Sequence, residues 1–336
     1  MRNRLVWVDF LKMTLSLLVV YHHCYGIFSV PPPLDYFDLF YLWFTVPCFY
    51  ALSGFMAYTP LIARPGGTAT LPQSVWSKFR ALVVPAMIFF LLAAPGSEAV
   101  SSLKYGMAGG NYFLIALFDI FVLNYILTAL SAALSETVRL AIVSAAAAVT
   151  TILVAIFHDT PLLPYLAWKD FLYGNLFFVL GLYIGRFRQI LFNTMTSTAF
   201  PLSAALLYAI QYMIALHIDR STPSGDLTFR LLTKITLSAT GIIMLISCSY
   251  RLFINSSHKT RLSRLITYFG SRSLAAYVIS WIYVILFARM LRPFDLTYTL
   301  AAHISFVAAV YLLSVATYDL LCAIPYVRQT VFGKTR

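Results

Sequence analysis

Residues 5–28, LVWVDFLKMTLSLLVVYHHCYGIF, read as a membrane span, yet they carry Asp9, Lys12, His22 and His23. An ionisable group inside a span costs several kcal/mol, roughly 2.5–3.5 on insertion scales, so its presence points to function by default. At about 100° per residue, Lys12 and His23 lie about 20° apart around the helix axis, and Asp9 and His23 about 40° apart. Asp9, Lys12 and His23 therefore share one face, while His22 points about 100° away from His23. Along the axis Lys12 and His23 are separated by roughly 16 Å. The face thus carries a charged pair near one end and an imidazole towards the other. The alternative is a buried polar pair and an interfacial histidine that only pack against other helices. The cost of three such residues on one face weighs against it.

The whole chain fits this reading. Its 336 residues are 60% hydrophobic and only 11% charged, against about a quarter charged in soluble proteins. Apolar runs recur along it, many close to the roughly 20 residues a bilayer demands. The expectation is an all-α, polytopic integral membrane bundle forming a single domain over residues 1–336. The formal net charge of +12 does not imply nucleic acid, because the basic residues sit in short loops between spans. Cys24, Cys48, Cys248 and Cys322 lie in or at the ends of apolar segments without CxxC spacing, as packing residues do. No His/Cys/Asp/Glu cluster has metal-ligand spacing, so no metal is expected. Asp9 interrupts the first apolar run and no small-x-small site follows it, so the run reads as a retained span and not a cleaved signal.

Ten spans are expected, at about 5–28, 39–59, 80–96, 112–132, 139–157, 171–185, 199–217, 230–250, 273–291 and 298–322. An even number puts both termini on one side. Of the 24 Lys and Arg residues, Lys12, Lys234 and Arg272 lie within or at the edge of spans. Six others fall on one side and the remaining fifteen on the side shared by the termini. That bias places both termini in the cytoplasm. Asp119 in the fourth span is expected to line a cavity or to pair with a buried base such as Lys12. His303 and Asp319 in the tenth are cavity or interfacial candidates, and His158, His217 and His258 read as loop residues. The two halves show no inverted pair of broken helices of the kind common in transporters.

Asp9-Phe-Leu-Lys12 followed by His23 resembles the opening of the membrane-bound acyltransferase-3 family. The likeness continues in order through Cys48-Phe-Tyr-Ala-Leu-Ser-Gly-Phe55, Lys78-Phe-Arg80-Ala-Leu-Val-Val-Pro85 and Asn111-Tyr-Phe-Leu114. It ends with Phe178-Val-Leu-Gly-Leu-Tyr-Ile-Gly-Arg186 and Phe269-Gly-Ser-Arg-Ser-Leu-Ala-Ala-Tyr277. Two positions depart from the family pattern. Lys12 stands where arginine is usual, which keeps the charge but loses the planar fork. Ser280 stands where a histidine often occurs. The extra soluble esterase-like domain of some relatives is not expected here.

The resemblance implies O-acyl transfer, most simply O-acetyl transfer, from cytoplasmic acyl-CoA. The acceptor it implies is a hydroxyl of a sugar in a cell-surface or exported polysaccharide, or a lipid-linked sugar, at the inner (plasma) membrane. It also implies an essential histidine. Histidine titrates near neutral pH, so His23 fits as a base for the acceptor hydroxyl or as a nucleophile that briefly carries the acyl group. His22 would replace it if the helix were rotated. Asp9 and Lys12 are too far from His23 along the helix for a direct relay. They are expected to hold the helix or to touch the donor's entry path. Lys78 and Arg80 are candidates for binding the CoA phosphates, against a simple anchoring role on the cytoplasmic side. Acyl-CoA would be a substrate, with no permanently bound cofactor. The rival class is a proton-coupled transporter or flippase with Asp9, Lys12 and Asp119 along its path.

Overall fold

The computed structural model describes residues 5–29, 36–63, 70–93, 112–157, 168–221, 227–254 and 260–332. These form helices α1 (Val6–His23), α2 (Tyr36–Tyr58), α3 (Leu71–Lys78), α4 (Val84–Ala93), α5 (Tyr112–Leu130), α6 (Glu136–Phe157) and α7 (Trp168–Arg186). The second half comprises α8 (Arg188–Met195), α9 (Ala199–Ser221), α10 (Leu227–Phe253), α11 (Arg261–Gly270), α12 (Ser273–Leu291), α13 (Leu300–Ala323) and α14 (Pro325–Thr330). No β-strand occurs among the described residues.

Among the described residues, eight helical segments are long and apolar enough to cross a membrane: α2, the run α3–α4, α5, α6, α9, α10, α12 and α13. The first and sixth expected spans, α1 and α7, fall outside this set. Their ionisable residues explain why: α1 carries Asp9 and Lys12, and α7 carries Lys169, Asp170 and Arg186. Both occupy protected positions. α1 packs against α2, α10, α11, α12 and α13, and α7 against α2, α5 and α6. A helix shielded by other helices need not be apolar all round, because lipid does not reach its polar face. α1 and α13 run antiparallel: Ser16 Oγ lies 3.2 Å from the Tyr311 hydroxyl, and His303 at the start of α13 meets Tyr21 near the end of α1.

Helices in lipid associate by close packing, since the tails are as apolar as leucine. The most extensive helix pair, α2 with α7, does this through small residues. A Cβ on Gly54 would sit 1.9 Å from the Phe178 carbonyl oxygen, and one on Gly181 would sit 1.9 Å from that of Ala51. Polar side chains tie other helices together. Pro47 in α2 has no N–H to give its i−4 carbonyl, Trp43; Ser238 of α10 donates to that oxygen at 2.5 Å instead. Asn124 of α5 donates to Asn175 of α7 at 3.0 Å.

Several boundaries differ from the sequence reading. The third span starts at Leu71 and not at 80. Thr70 caps it with a reciprocal Gln73 bond, and a π-turn, Phe79–Val83, leads into α4, whose second residue is Pro85. Lys78 and Arg80 therefore lie within a helical run and not in a loop before it. α2 begins at Tyr36, so Asp38 is helical and not part of a connection. His217 lies in α9, and Arg251 lies in α10. The short helices α8, α11 and α14 were not anticipated. Arg139, expected at the edge of the fifth span on the cytoplasmic side, is buried. Its guanidinium donates to Ile62 O at 2.7 and 3.1 Å, to Ala132 O at 3.2 Å and to Leu134 O. It thereby satisfies helix-end carbonyls that lack partners. Arg64, Lys104, Asn111, His158, His258 and Lys259 lie outside the described residues.

The substitution Gly181→Leu is expected to lower stability by about 1–3 kcal/mol or more, the scale of overpacking. Thermal unfolding of the detergent-purified protein checks this; a midpoint equal to the parent's would contradict the direct α2–α7 contact.

Candidate functional site: two polar centres on the first helix

At the N-terminal end of α1 the helices enclose a cavity of about 540 Å³. Asp9 and Lys12 enter it from α1, Ser53 from α2, Lys78 from α3, Tyr125 from α5, and Ser271 and Ser273 from the junction of α11 and α12. α11 docks directly on α1, with the place of a Gly270 Cβ only 2.2 Å from Asp9 O, so any larger residue would push the two apart. The Lys78 ammonium lies 3.9 Å from the centroid of the Phe121 ring, a cation–π contact. Lys12 is within electrostatic range of Lys78. Two lysines against one aspartate give this largely apolar cleft an excess of positive charge, which favours an anionic group. Arg80 lies over Trp76, its guanidinium 5.8 Å from the ring centroid, and does not line the cavity.

His23 lies outside the cavity, at the last residue of α1. Its ring meets Trp281 of α12 at 4.8 Å and 73°. His22 turns elsewhere, with its ring 6.2 Å from that of Tyr25. Beyond them the chain makes a 3₁₀ turn, Cys24–Ile27, into a buried polar cluster. Asp38, 1% exposed, accepts hydrogen bonds from the Tyr25 hydroxyl at 3.0 and 3.1 Å and from the Tyr41 hydroxyl at 2.8 Å. His303, fully buried, has Nε2 2.9 Å from Tyr21 O. A carbonyl only accepts, so Nε2 carries the proton and donates, which leaves a lone pair on Nδ1 in the neutral ring. That carbonyl belongs to the last turn of α1, where helices run short of donors. His303 also packs between Tyr21 and Tyr25, with both ring centroids 4.3 Å away.

The structure thus brings Asp9, Lys12 and Lys78 together and leaves His23 and Arg80 apart from them. Asp119 is not among the residues lining the cavity. Asp319 pairs with Arg272 at 2.7 Å and accepts from the Tyr268 hydroxyl. Aromatic rings adjoin the cavity: Phe113 lines it and contacts Tyr50 and Tyr277 at 5.0 and 5.8 Å. Tyr277 is one helical turn before Trp281. Among the described residues, no group of three or more His, Cys, Asp or Glu is placed to hold a metal ion. Asp38 and Trp281 went unnoticed in the sequence. The i, i+3 spacing of Asp38 and Tyr41 in an aromatic helix was the available signal.

A family model described as an acyltransferase domain, acyltransferase-3, matches residues 5–318. No curated protein and no solved structure matches the chain.

Asp38→Leu removes the acceptor of two buried phenols and is expected to cost about 2–3 kcal/mol, whereas Tyr25→Phe, which loses one donor, costs about 1 kcal/mol. Denaturant or thermal unfolding in detergent measures both; equal losses would mean that the carboxylate does not anchor the cluster.

Proposed function

The chain belongs to the acyltransferase-3 family and is a multi-pass membrane acyltransferase, and from that premise we propose that it moves an acetyl group from cytoplasmic acetyl-CoA to a sugar hydroxyl. The acceptor would be a sugar of a cell-surface or exported glycan, free or lipid-linked, at the inner (plasma) membrane. One observation carries the reading: a cavity with two lysines at one end of α1 and His23 at the other end of the same helix. The donor's phosphates are highly charged and stay near water; its neutral pantetheine arm is thin enough to pass between helices. The excess of Lys and Arg on the side of the Asp9 end supports a cytoplasmic placement of that end.

In this mechanism Lys78 and Lys12 hold phosphate groups as point charges. Arg80, two residues further along the same run, adds positive charge at that end. Asp9 offsets part of the positive charge of the cavity and fixes α1 where α11 crosses it. The arm runs inward and brings the thioester towards His23. In the direct route, His23 takes the proton of the acceptor hydroxyl as its oxygen bonds to the thioester carbon. The C–S bond then breaks, and the imidazolium returns the proton to the CoA thiolate. In the covalent route, the His23 ring nitrogen attacks the thioester carbon and CoA leaves, taking a proton. The acceptor hydroxyl next takes the acyl group from nitrogen and gives up its proton.

His23→Ala is expected to lower acyl transfer at least about 100-fold while membrane insertion is unchanged. Purified protein, radiolabelled acetyl-CoA and a panel of glycans measure it. Activity that survives this change but vanishes in His22→Ala would reassign the histidine. Uptake of a sugar into liposomes without any acyl transfer would favour a proton-coupled transporter or flippase instead. Lys78→Ala is expected to raise KM for acetyl-CoA about tenfold, the scale of one charge-assisted bond, with a smaller change in kcat. An unchanged KM would remove Lys78 from the donor site.

A further inference from the structure

The inner wall of the cavity is aromatic, and the same rings lie on the way to His23. Phe113 both lines the cavity and touches Tyr50 and Tyr277. Tyr50 and Tyr277 are 2% and 7% exposed and do not themselves line the cavity. The three rings come from α5, α2 and α12, so they form a layer across the space between these helices. One turn beyond Tyr277 on the same helix, Trp281 meets His23. Under the acyl-CoA reading, an acyl group moving from the lysines towards the histidine would pass beside these rings, since α12 carries Tyr277 one turn before Trp281. A second feature points to a ligand there. The Tyr50 hydroxyl is buried and has no hydrogen-bond partner among the described residues. An unmade bond of this kind costs roughly 1–3 kcal/mol, and a thioester or amide carbonyl of the donor would supply the missing acceptor.

We infer that Tyr50, Phe113 and Tyr277 form the filter that sets acyl length, admitting a two-carbon acyl group and rejecting longer chains. The inference rests on the acyl-CoA reading of the cavity and deepens it. The ring of Phe113 is the element to change, because it faces the cavity. The layer is backed on α7 by Gly174, where an added Cβ would sit 2.7 Å from the Tyr50 ring, so Tyr50 has no room to retreat in that direction. Close-packed rings discriminate by volume, and one methylene in such a site changes kcat/KM by about 10-fold or more.

The test compares acetyl-CoA with butyryl-CoA for the full-length parent, Phe113→Ala and Phe113→Trp in detergent or nanodiscs. The quantity read is the ratio of kcat/KM for butyryl over acetyl transfer to the same acceptor. The alanine is expected to raise that ratio at least about tenfold and the tryptophan to leave it at or below the parent's. Should the alanine not fold, Phe113→Val takes its place with the same sign. A ratio unchanged in the alanine or valine variant, with the parent active on acetyl-CoA, overturns the filter and leaves the acyl-CoA reading standing. A parent that transfers neither acyl group overturns both. A parent that uses butyryl-CoA as well as acetyl-CoA overturns the filter alone.

Discussion

Charge inside a bilayer is the constraint on which this architecture turns. Asp9 and Lys12 on α1 cannot face lipid without a cost of several kcal/mol, and the fold answers by wrapping α1 in five other helices. Asp9 itself is almost fully buried in protein. The approach of α11 to α1 at Gly270 closes the space over Asp9, and the Arg272–Asp319 pair joins the end of that approach to α13. Away from α1, helices α9 and α13 turn large apolar side chains outward. Leu202 and Leu206 of α9 and Leu312 of α13 stand exposed on its outside, where lipid would cover them.

Backbone accounting imposes a second order on the bundle. With no water in the hydrocarbon, each freed carbonyl needs a donor from protein. Pro47 frees the Trp43 carbonyl, and the Ser238 hydroxyl of another helix takes it up. Arg139 spans the end of the α2 extension and the α5–α6 turn with one guanidinium. Its positive charge also sits well at helix C-termini, where the macrodipole is negative. The same demand explains His303, whose N–H meets a carbonyl in the last turn of α1. Side chains that look functional by residue type are therefore partly employed in closing the backbone.

What the sequence disclosed follows from this. Helical spacing alone placed Asp9 and Lys12 on one face with His23, and the structure puts the first two in one cavity. The membrane class was legible because a 20-residue apolar run is a long, redundant signal. Lys78 could be singled out, but its place in a helix could not. The start of α3 depends on a four-residue cap, Thr70 to Gln73, that an apolar scan reads as loop. The burial of Arg139 was missed for a related reason: positive charge near a span end means the cytoplasmic side on average, and a buried cap in a particular case. Asp38, too, closes the proline-rich, acidic stretch 30–38, which reads as a connection. Only the tertiary approach of Tyr25 shows it buried, and α11 and α14 are too short for periodicity to distinguish from loops.

The separation of the two centres on α1 has a physical logic under the proposed reaction. Acyl-CoA combines a multiply charged end with an uncharged acyl group, and these two parts have opposite preferences for water and for the membrane interior. A single compact site would force either the phosphates into low dielectric or the chemistry into the cytoplasm. A helix with lysine near one end and histidine about 16 Å further on lets each part stay where its solvation cost is lowest. The aromatic layer of Tyr50, Phe113 and Tyr277 then has a reason to lie between them. Close-packed rings there would hinder water and ions more than a neutral acyl group. Lys12 in place of a planar guanidinium suits a position at the inner edge of the charged region. There a compact, flexible ammonium can follow a phosphate without needing two fixed contacts.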